Sequence, residues 1–441
     1  MGGWDSHEIK QETGYVTMGV DAVMDNATKK TSGAGDNGRE RTIRVVLYSH
    51  DSQGIGHVRR NLALARTLAQ LLPRLTGKKV SGLMISGLAA ANVFPLPDGF
   101  DWFFIPSIAK GDGGYEPRNL HTDWNTLRSV RTQAIQGALA GFMPDLIIVD
   151  RHLYGVDKEL RKPLKKLRKK NPHLRVVLGM REVLDSPEIA AREWESLGSA
   201  RELGTMIDEI WLYGDQLVHD PVATGEVPAY LADKVRYTGY LSKGRAEIDS
   251  HAELPWCGPF ILTSAGGGSD GYALLSAAAA MPTPRGCQHV IIAGPQMSEN
   301  SFAALEVAAQ SAGRDVHLYR MWPGLAKVVQ EAAAVISMGG YNTTSEILAT
   351  DTPALIVPRE YPRKEQLIRA RALEAHGAVD VVRLQDVNAE TLGEWAADRV
   401  GTAVDRADIE RDGLTRMARL AADLLCAADV ESEAMALAGV K

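Results

Sequence analysis

Two adjacent glycines, Gly339 and Gly340, follow a short apolar run (Ala334 to Met338) and lead through a polar cluster into a helical pattern at Ile347-Leu348-Ala349. A strand that ends in glycine and opens a helix offers backbone N–H groups and the positive end of a helix dipole to an anion. Glycine there lets the backbone approach a phosphate and take up positive φ. The anion expected is a nucleotide diphosphate. Thr343-x-x-Glu346 also fits a capping box, in which the two side chains satisfy each other's orphan N–H groups. From the residues alone both readings stand.

The same layout occurs twice more. Arg44 to Ser49 reads as a strand, His50-Asp51-Ser-Gln-Gly54-Ile-Gly56 as a loop, and His57 as the start of a helix that stops at Pro73. Phe260 to Thr263 is a strand, Ala265 to Gly271 a glycine loop, and Tyr272 to Met281 a helix. Gly54-x-Gly56-His57 is a shortened dinucleotide fingerprint without its third glycine, and no acidic residue ends the next strand (Val80 to Ile85). NAD is therefore a weak reading, and the polar loop suits an acceptor substrate equally. Other strand ends carry Asp150-Arg151-His152, Arg181-Glu182 and Tyr213-Gly214-Asp215. Lys110-Gly-Asp-Gly-Gly-Tyr115 reads as a long, flexible polar loop of the kind that contacts substrate.

The elements that must hold these groups alternate along the chain. Strands are expected at Trp102 to Ile105, Leu146 to Val149, Val176 to Leu178, Ile210 to Tyr213, His289 to Ala293, Val316 to Tyr319, Pro353 to Val357 and Val379 to Val382, with helical periodicity between them. Such βα alternation makes a mostly parallel sheet, which collects ligands at the C-terminal ends of its strands. At 441 residues the chain exceeds one compact core. The fold class expected is α/β, with two Rossmann-like doubly wound domains facing a cleft. Residues 1–40 read as a disordered or extended tail, 41–245 as an acceptor-binding domain, 255–405 as a donor-binding domain, and 406–441 as a helix packing across both. Pro221 to Ser250 reads as irregular structure.

Apolar content of 45% with 24% charged residues is that of an ordinary soluble protein, and a net charge of −6 argues against a nucleic-acid partner. Three scattered cysteines match no zinc spacing and fit a reducing compartment. No apolar run approaches the ~18 residues of a membrane span, and the N-terminus lacks a signal-peptide core, so a cytoplasmic location is expected. Lys158 to Lys170 holds eight basic residues and one acidic one. A solvated helix face is the favoured reading, with contact to an anionic membrane surface the less favoured one.

The Gly266-Gly-Gly268 loop, the turn Gly339-Gly-x-Asn-Thr-x-Ser-Glu346 and the loop ending Lys364-Glu365-Gln366 resemble the donor half of GT-B glycosyltransferases, especially MurG-like N-acetylglucosaminyltransferases. From 43 to 385 the chain is similar to a group of predicted bacterial glycosyltransferases through Ser49-His50-Asp51…Gly54-x-Gly56-His57-x-Arg59-Arg60, Leu178-Gly-Met-Arg-Glu182, Tyr213-Gly-Asp215 and Tyr237-Thr-Gly-Tyr240. The resemblance implies that Glu346 holds the ribose hydroxyls. Gly267, Gly268 and Ser269, with Gly340, Asn342, Thr343 and Thr344, would cradle the diphosphate. Glu365 and Gln366 would bind the donor sugar, and Arg320, Met321 and Trp322 would lie near the base. His50, Gly54, Gly56, Tyr115, Asp150, His152, Arg181 and Glu182 would form the acceptor side.

The reaction so implied is transfer of a sugar from a nucleotide diphosphate sugar, UDP-linked by preference, to a hydroxyl or amine of a small polar acceptor. No Asp-x-Asp occurs, in keeping with a metal-independent scheme without cofactor, in which backbone N–H groups stabilise the leaving phosphate. His57 is the expected general base, since an imidazole takes up protons near neutral pH. Asp51 is the rival base or the carboxylate that orients it. A nucleotide-sugar epimerase or hydrolase and a non-catalytic sugar-nucleotide-binding protein are the alternatives.

Overall fold

The computed structural model describes residues 42–49, 56–111, 113–245, 254–313 and 315–437. The expected tail over 1–40 lies outside the described residues, as do His50, Asp51 and Gly54.

Runs such as Ile43-Arg-Val-Val-Leu-Tyr48 and Leu146-Ile-Ile-Val-Asp150 are apolar at nearly every position, as strands of a parallel sheet covered on both faces must be. The N-terminal half contains β1 (Ile43–Tyr48), α1 (Gly56–Thr76), β2 (Val80–Ser86), β3 (Phe100–Phe104), β4 (Ile108–Gly111), β5 (Gly114–Pro117), α2 (Trp124–Phe142) and β6 (Leu146–Asp150). It continues through α3 (Arg161–Lys170), β7 (Arg175–Arg181), α4 (Pro187–Leu197), α5 (Ala200–Met206), β8 (Glu209–Tyr213) and β9 (Val235–Tyr237). Seven strands form one parallel sheet in the order β3-β2-β1-β6-β7-β8-β9.

The C-terminal half contains β10 (Phe260–Ser264), α6 (Tyr272–Ala279), β11 (Gln288–Ile292), α7 (Glu299–Ala312), β12 (Val316–Tyr319), α8 (Leu325–Glu331), β13 (Ala334–Ser337) and α9 (Tyr341–Leu348). After these come β14 (Ala354–Ile356), α10 (Glu365–Ala375), β15 (Asp380–Val381), α11 (Ala389–Arg399) and α12 (Gly413–Leu437). Its parallel six-stranded sheet runs β12-β11-β10-β13-β14-β15. One apolar cluster joins the halves, from Leu47, Trp211 and Tyr213 through Tyr240 and Phe260 to Tyr341 and Ile347. The last helix, α12, lies against α1, and an ion pair links Lys78 to Asp429.

Three expectations change. The first helix does not stop at Pro73 but runs through it to Thr76. Proline removes one hydrogen bond and crowds the preceding turn. Here it falls in the last turn, held down by the fully buried Leu68 and Leu72, and its carbonyl still accepts from Gly77 N at 2.9 Å. The stretch around Lys110 to Tyr115 is not a loose loop: β4 and β5 pair antiparallel, with Lys110 opposite Tyr115. The hairpin is anchored because Tyr115 stacks on Trp124 at 5.7 Å and packs with Ile108, Leu127 and Val156. Within Pro221 to Ser250 lies β9, which forms the sheet edge. On α3, Leu164 and Leu167 are buried, while Arg161 and Lys165 pair with Glu202 at 2.6 and 2.9 Å.

Candidate active site

In each sheet the strand order reverses once, between β1 and β6 in the first and between β10 and β13 in the second. A crevice opens at the C-terminal edge wherever neighbouring strands send their connections to opposite faces. The residues singled out from sequence sit at these two points. Gly56 and His57 follow β1, Asp150 ends β6, the 265–271 loop follows β10, and Gly339-Gly340 follows β13.

His57 occupies the first turn of α1, and its Nδ1 is hydrogen-bonded to Asp150 Oδ2. Arg60, one turn further on, donates from Nε to the other Asp150 oxygen at 3.2 Å, and its Nη2 lies 3.0 Å from His57 Nδ1. Burial alone would raise the Asp150 carboxyl, but Arg60 and His57 outweigh it and hold the group well below the carboxylate range. Asp150 is therefore ionised and holds the ring through Nδ1. Burial is also the largest influence on His57 and lowers its pKa, which Asp150 only partly offsets; Arg60 and Arg181 lower it further. The imidazole is neutral at pH 7, and its side chain keeps 19% exposure. The carboxylate on His57 Nδ1 is Asp150, and Asp51 falls outside the described residues.

Across the crevice, α9 starts at Tyr341 with Gly340 as its N-cap and no side-chain cap. The capping box is not formed, because helix already begins two residues before Thr343. Gly339 has φ +71, and a Cβ there would lie 2.6 Å from Ile356 Cγ2, so glycine is required for the turn. Gly340 faces open space instead. Asn342 Nδ2 donates to Gly56 O at 3.0 Å, which joins the two crevices directly. Thr343 and Thr344 are buried in the first turn of α9, and Thr344 Oγ1 has no partner. Glu346 is 3% exposed; its Oε1 accepts from Arg59 Nη2 at 2.6 Å, with Arg245 at 3.8 Å. Its Oε2 is buried and unpartnered. The carboxylate borders a cavity of about 430 Å³ shared with Leu62, Phe94, Arg245, Met321 and Trp322. Trp322 is stiffened by Trp256 and Tyr319, at ring centroid distances of 4.9 and 4.8 Å.

A second carboxylate stands at the start of α10. Glu365 Oε1 accepts from Arg359 at 2.7 Å, and its Oε2 is again buried without a partner. Burial pushes this carboxyl up, but Arg181, Arg359 and Arg369 outweigh it and leave the group below its ordinary value. Arg359 also bonds Asp270 in the glycine loop at 2.9 Å, and its backbone N–H donates to Gln366 Oε1 at 2.9 Å. One arginine therefore gathers the glycine loop and the Glu365-Gln366 pair. Gly267 and Ser269 are exposed on that loop. Gly268, at φ +92, packs on the neighbouring backbone, where a Cβ would lie 2.5 Å from Ala293 O.

Some expected contacts are placed elsewhere. Glu182 does not face an acceptor: it is 1% exposed and both its oxygens are held by Arg369, at 2.6 and 3.3 Å. Arg320 is turned away from the cavity to Met297 O (3.0 Å), Glu299 (2.7 Å) and the Phe302 ring. His152 accepts from Arg151 Nε at 2.9 Å beside a crevice of only about 20 Å³. Tyr115 stands in the hairpin, within the electrostatic reach of Arg151 and Arg363. Arg181 ends β7 next to this group. Sequence reading missed Arg245, Arg359 and Arg369. The spacing of Arg369, four residues after Glu365 on the same helix face, was the one available signal.

The Glu182–Arg369 pair crosses from the end of β7 to α10 and is 1% exposed on both sides. Removing one member strands a buried charge. Arg369→Met is expected to cost about 3–5 kcal/mol in chemical denaturation, with most of the loss recovered in Glu182→Met/Arg369→Met. A loss below about 1 kcal/mol, the size of a surface pair, would show that the junction does not depend on it.

Residues 265–399 match the model of the glycosyltransferase family 28 C-terminal domain. A UDP-N-acetylglucosamine–N-acetylmuramyl-(pentapeptide) pyrophosphoryl-undecaprenol N-acetylglucosamine transferase of Burkholderia lata is 36% identical over 135 residues, 29% of this chain and 37% of the relative. The matched part thus spans little more than a third of that curated relative. UGT2 of Phytolacca americana, solved with UDP-2fluoro-glucose and pterostilbene, superimposes with a TM-score of 0.55 at 13% identity, covering 88% of this chain and 94% of that one. The glycosyltransferase VinC, solved with dTDP, gives 0.53 at 14% identity, covering 90% and 100%. These likenesses show the fold, two parallel α/β sheets arranged as in GT-B glycosyltransferases.

Proposed function

We propose that this chain, which carries a glycosyltransferase family 28 C-terminal domain within a GT-B fold, transfers a sugar from a nucleoside diphosphate sugar to a hydroxyl or amine of a small acceptor. One observation carries the reading. Among the described residues, the buried carboxylate oxygens without a partner are Glu346 Oε2 and Glu365 Oε2, and Glu346 lines the cavity of about 430 Å³. A buried carboxylate oxygen left unpaired is costly. Ribose and sugar hydroxyls are donors of the kind each lacks. Met321 and Trp322 line the same cavity as Glu346, and a base would rest on them. Solved proteins of this fold hold UDP-sugar or dTDP, which supports a nucleoside diphosphate and leaves its base to experiment.

The acceptor hydroxyl gives its proton to His57 Nε2 as its oxygen bonds to the anomeric carbon. The bond from that carbon to the phosphate oxygen breaks, and the electron pair leaves with the nucleoside diphosphate. Negative charge growing there meets the N-termini of α6 and α9, whose N-caps, Gly271 and Gly340, make no side-chain cap bond. Asp150 holds the ring and stabilises the imidazolium that forms.

The base works in its neutral form, and its pKa is lowered from the usual 6.5. The acid limb of the kcat/KM profile should therefore have its midpoint below 6.5, with a plateau through neutrality. Asp150→Asn removes a raising influence, so its limb should move lower still while the plateau falls. A midpoint above 7 would dismiss His57 as the titrating base. The function itself is tested by a thermal-shift screen of UDP, dTDP and their sugars, followed by incubation of the stabilising sugar nucleotide with and without polyols, sugars and hydroxy acids. Stabilisation by a nucleoside diphosphate and turnover dependent on acceptor are expected. Stoichiometric product without acceptor would move the reading to a hydrolase or epimerase, and the absence of any nucleotide effect would refute it.

A further inference from the structure

Arg181 is the last residue of β7, beside Tyr213 and two positions beyond Gly179, the register partner of Asp150. It is half-buried, and its charged neighbours are the guanidinium groups of Arg151, Arg369 and Arg60, opposed by the Glu365 carboxylate. Each neighbour has a direct partner. Arg60 bonds Asp150 at 3.2 Å, Arg369 bonds Glu182 at 2.6 Å, and Arg151 reaches Glu193 at 3.7 Å. Glu365 is engaged by Arg359. Among the described residues, the Arg181 guanidinium makes no hydrogen bond and no ion pair within 4.0 Å. Burial and the three surrounding cations push its pKa down to about 9, far below that of a free guanidinium. A guanidinium whose charged neighbours are three cations and one carboxylate stands in surroundings that favour an anion.

Its position tells which substrate would bring that anion. Arg181 belongs to the same strand-end cluster as Asp150 and Arg151, and His57 senses its charge. Arg151, the adjacent guanidinium, is fixed with φ +69 by a 2.9 Å bond to His152 and a 2.8 Å backbone bond to Gly179 O. The donor's own phosphates have the helix N-termini of the other half to receive them. We propose that the acceptor carries an anionic group, a carboxylate or a phosphate, and that Arg181 with Arg151 receives it so that a neighbouring hydroxyl meets His57. A planar guanidinium pairs with either group through two parallel hydrogen bonds. A cationic acceptor such as an aminocyclitol would face like charge here and is disfavoured. The assignment rests on the glycosyltransferase reading above, of which it specifies the acceptor class.

The test uses the full chain saturated with UDP, titrated in a calorimeter with inorganic phosphate and, separately, with acetate. Saturable binding of at least one is expected, and which one binds identifies the group. Arg181→Met should weaken that binding about tenfold or more, Arg181→Lys should retain part of it, and UDP affinity should stay within about twofold, well under one such bond. The melting temperature of ligand-free Arg181→Met should equal or exceed that of wild type, because an unpaired cation has gone; a clear fall would mean that Arg181 is structural and overturn the assignment. So would failure of both anions to bind, or binding unchanged in Arg181→Met. Loss of UDP affinity in that variant would give the guanidinium to the donor's diphosphate instead. If wild type binds no UDP, the function proposed above fails, and the comparison of wild type with Arg181→Met is read on the nucleotide-free protein.

Discussion

In His57→Ala, turnover is expected to fall by roughly 10²–10⁴-fold, the usual contribution of a positioned general base, while affinity for the nucleoside diphosphate changes little. The separation follows from placement. His57 sits at the β1–β6 switch point with Asp150, whereas the unpaired donor carboxylates belong to α9 and α10. Asp150→Asn should reproduce much of the kinetic loss, since an amide that donates to Nδ1 leaves the ring in the wrong tautomer. It should also destabilise the fold, because Arg60 is 3% exposed and loses its counter-charge. Stability measured beside turnover separates the two effects. Unchanged turnover in His57→Ala would remove it as the base.

Much of this arrangement was legible in the sequence because parallel sheets write themselves plainly. Apolar strands such as Leu146 to Asp150 and glycine turns such as Gly339-Gly340 mark strand ends, and strand ends mark the crevices. The strand order gives the turns their meaning, as Gly56, the 265–271 loop, Gly339-Gly340 and Asp150 all fall where the order reverses. What escaped notice is of another kind. Arg245 and Arg359 lie on a linker and a loop with no local pattern that distinguishes them from solvent-facing arginines, Arg369 is marked only by its spacing from Glu365, and contacts across the chain reveal their partners. Glu182 deceived for the same reason: a carboxylate at a strand end reads as a substrate contact until Arg369 is seen to occupy it. The 110–115 stretch is polar, yet polarity does not make it loose. The Asp-Gly dipeptide in its sequence and the aromatic anchor Tyr115 favour a hairpin.

Glu346 bears the most weight. Its Oε1 is taken by Arg59, its Oε2 is buried without a partner, and under the proposed function a ribose would offer two hydroxyls to this carboxylate. Hydrogen bonds to a charged group are worth about 1.5–3 kcal/mol each, so losing one or both amounts to roughly tenfold to several thousandfold in affinity. The fold should hardly notice. The capping box that would make Glu346 structural is not formed, and Arg59 retains 26% exposure into which to turn.

The decisive measurement is a calorimetric titration of UDP, or of dTDP should that bind better, into wild type and Glu346→Ala, with the melting temperature of each protein recorded without ligand. Binding by wild type, affinity lowered at least about tenfold in the variant and nearly equal melting temperatures are the result predicted here. Undiminished affinity together with a large drop in melting temperature would contradict the account, making Glu346 a structural residue and leaving the cavity beside it without the ligand assigned to it.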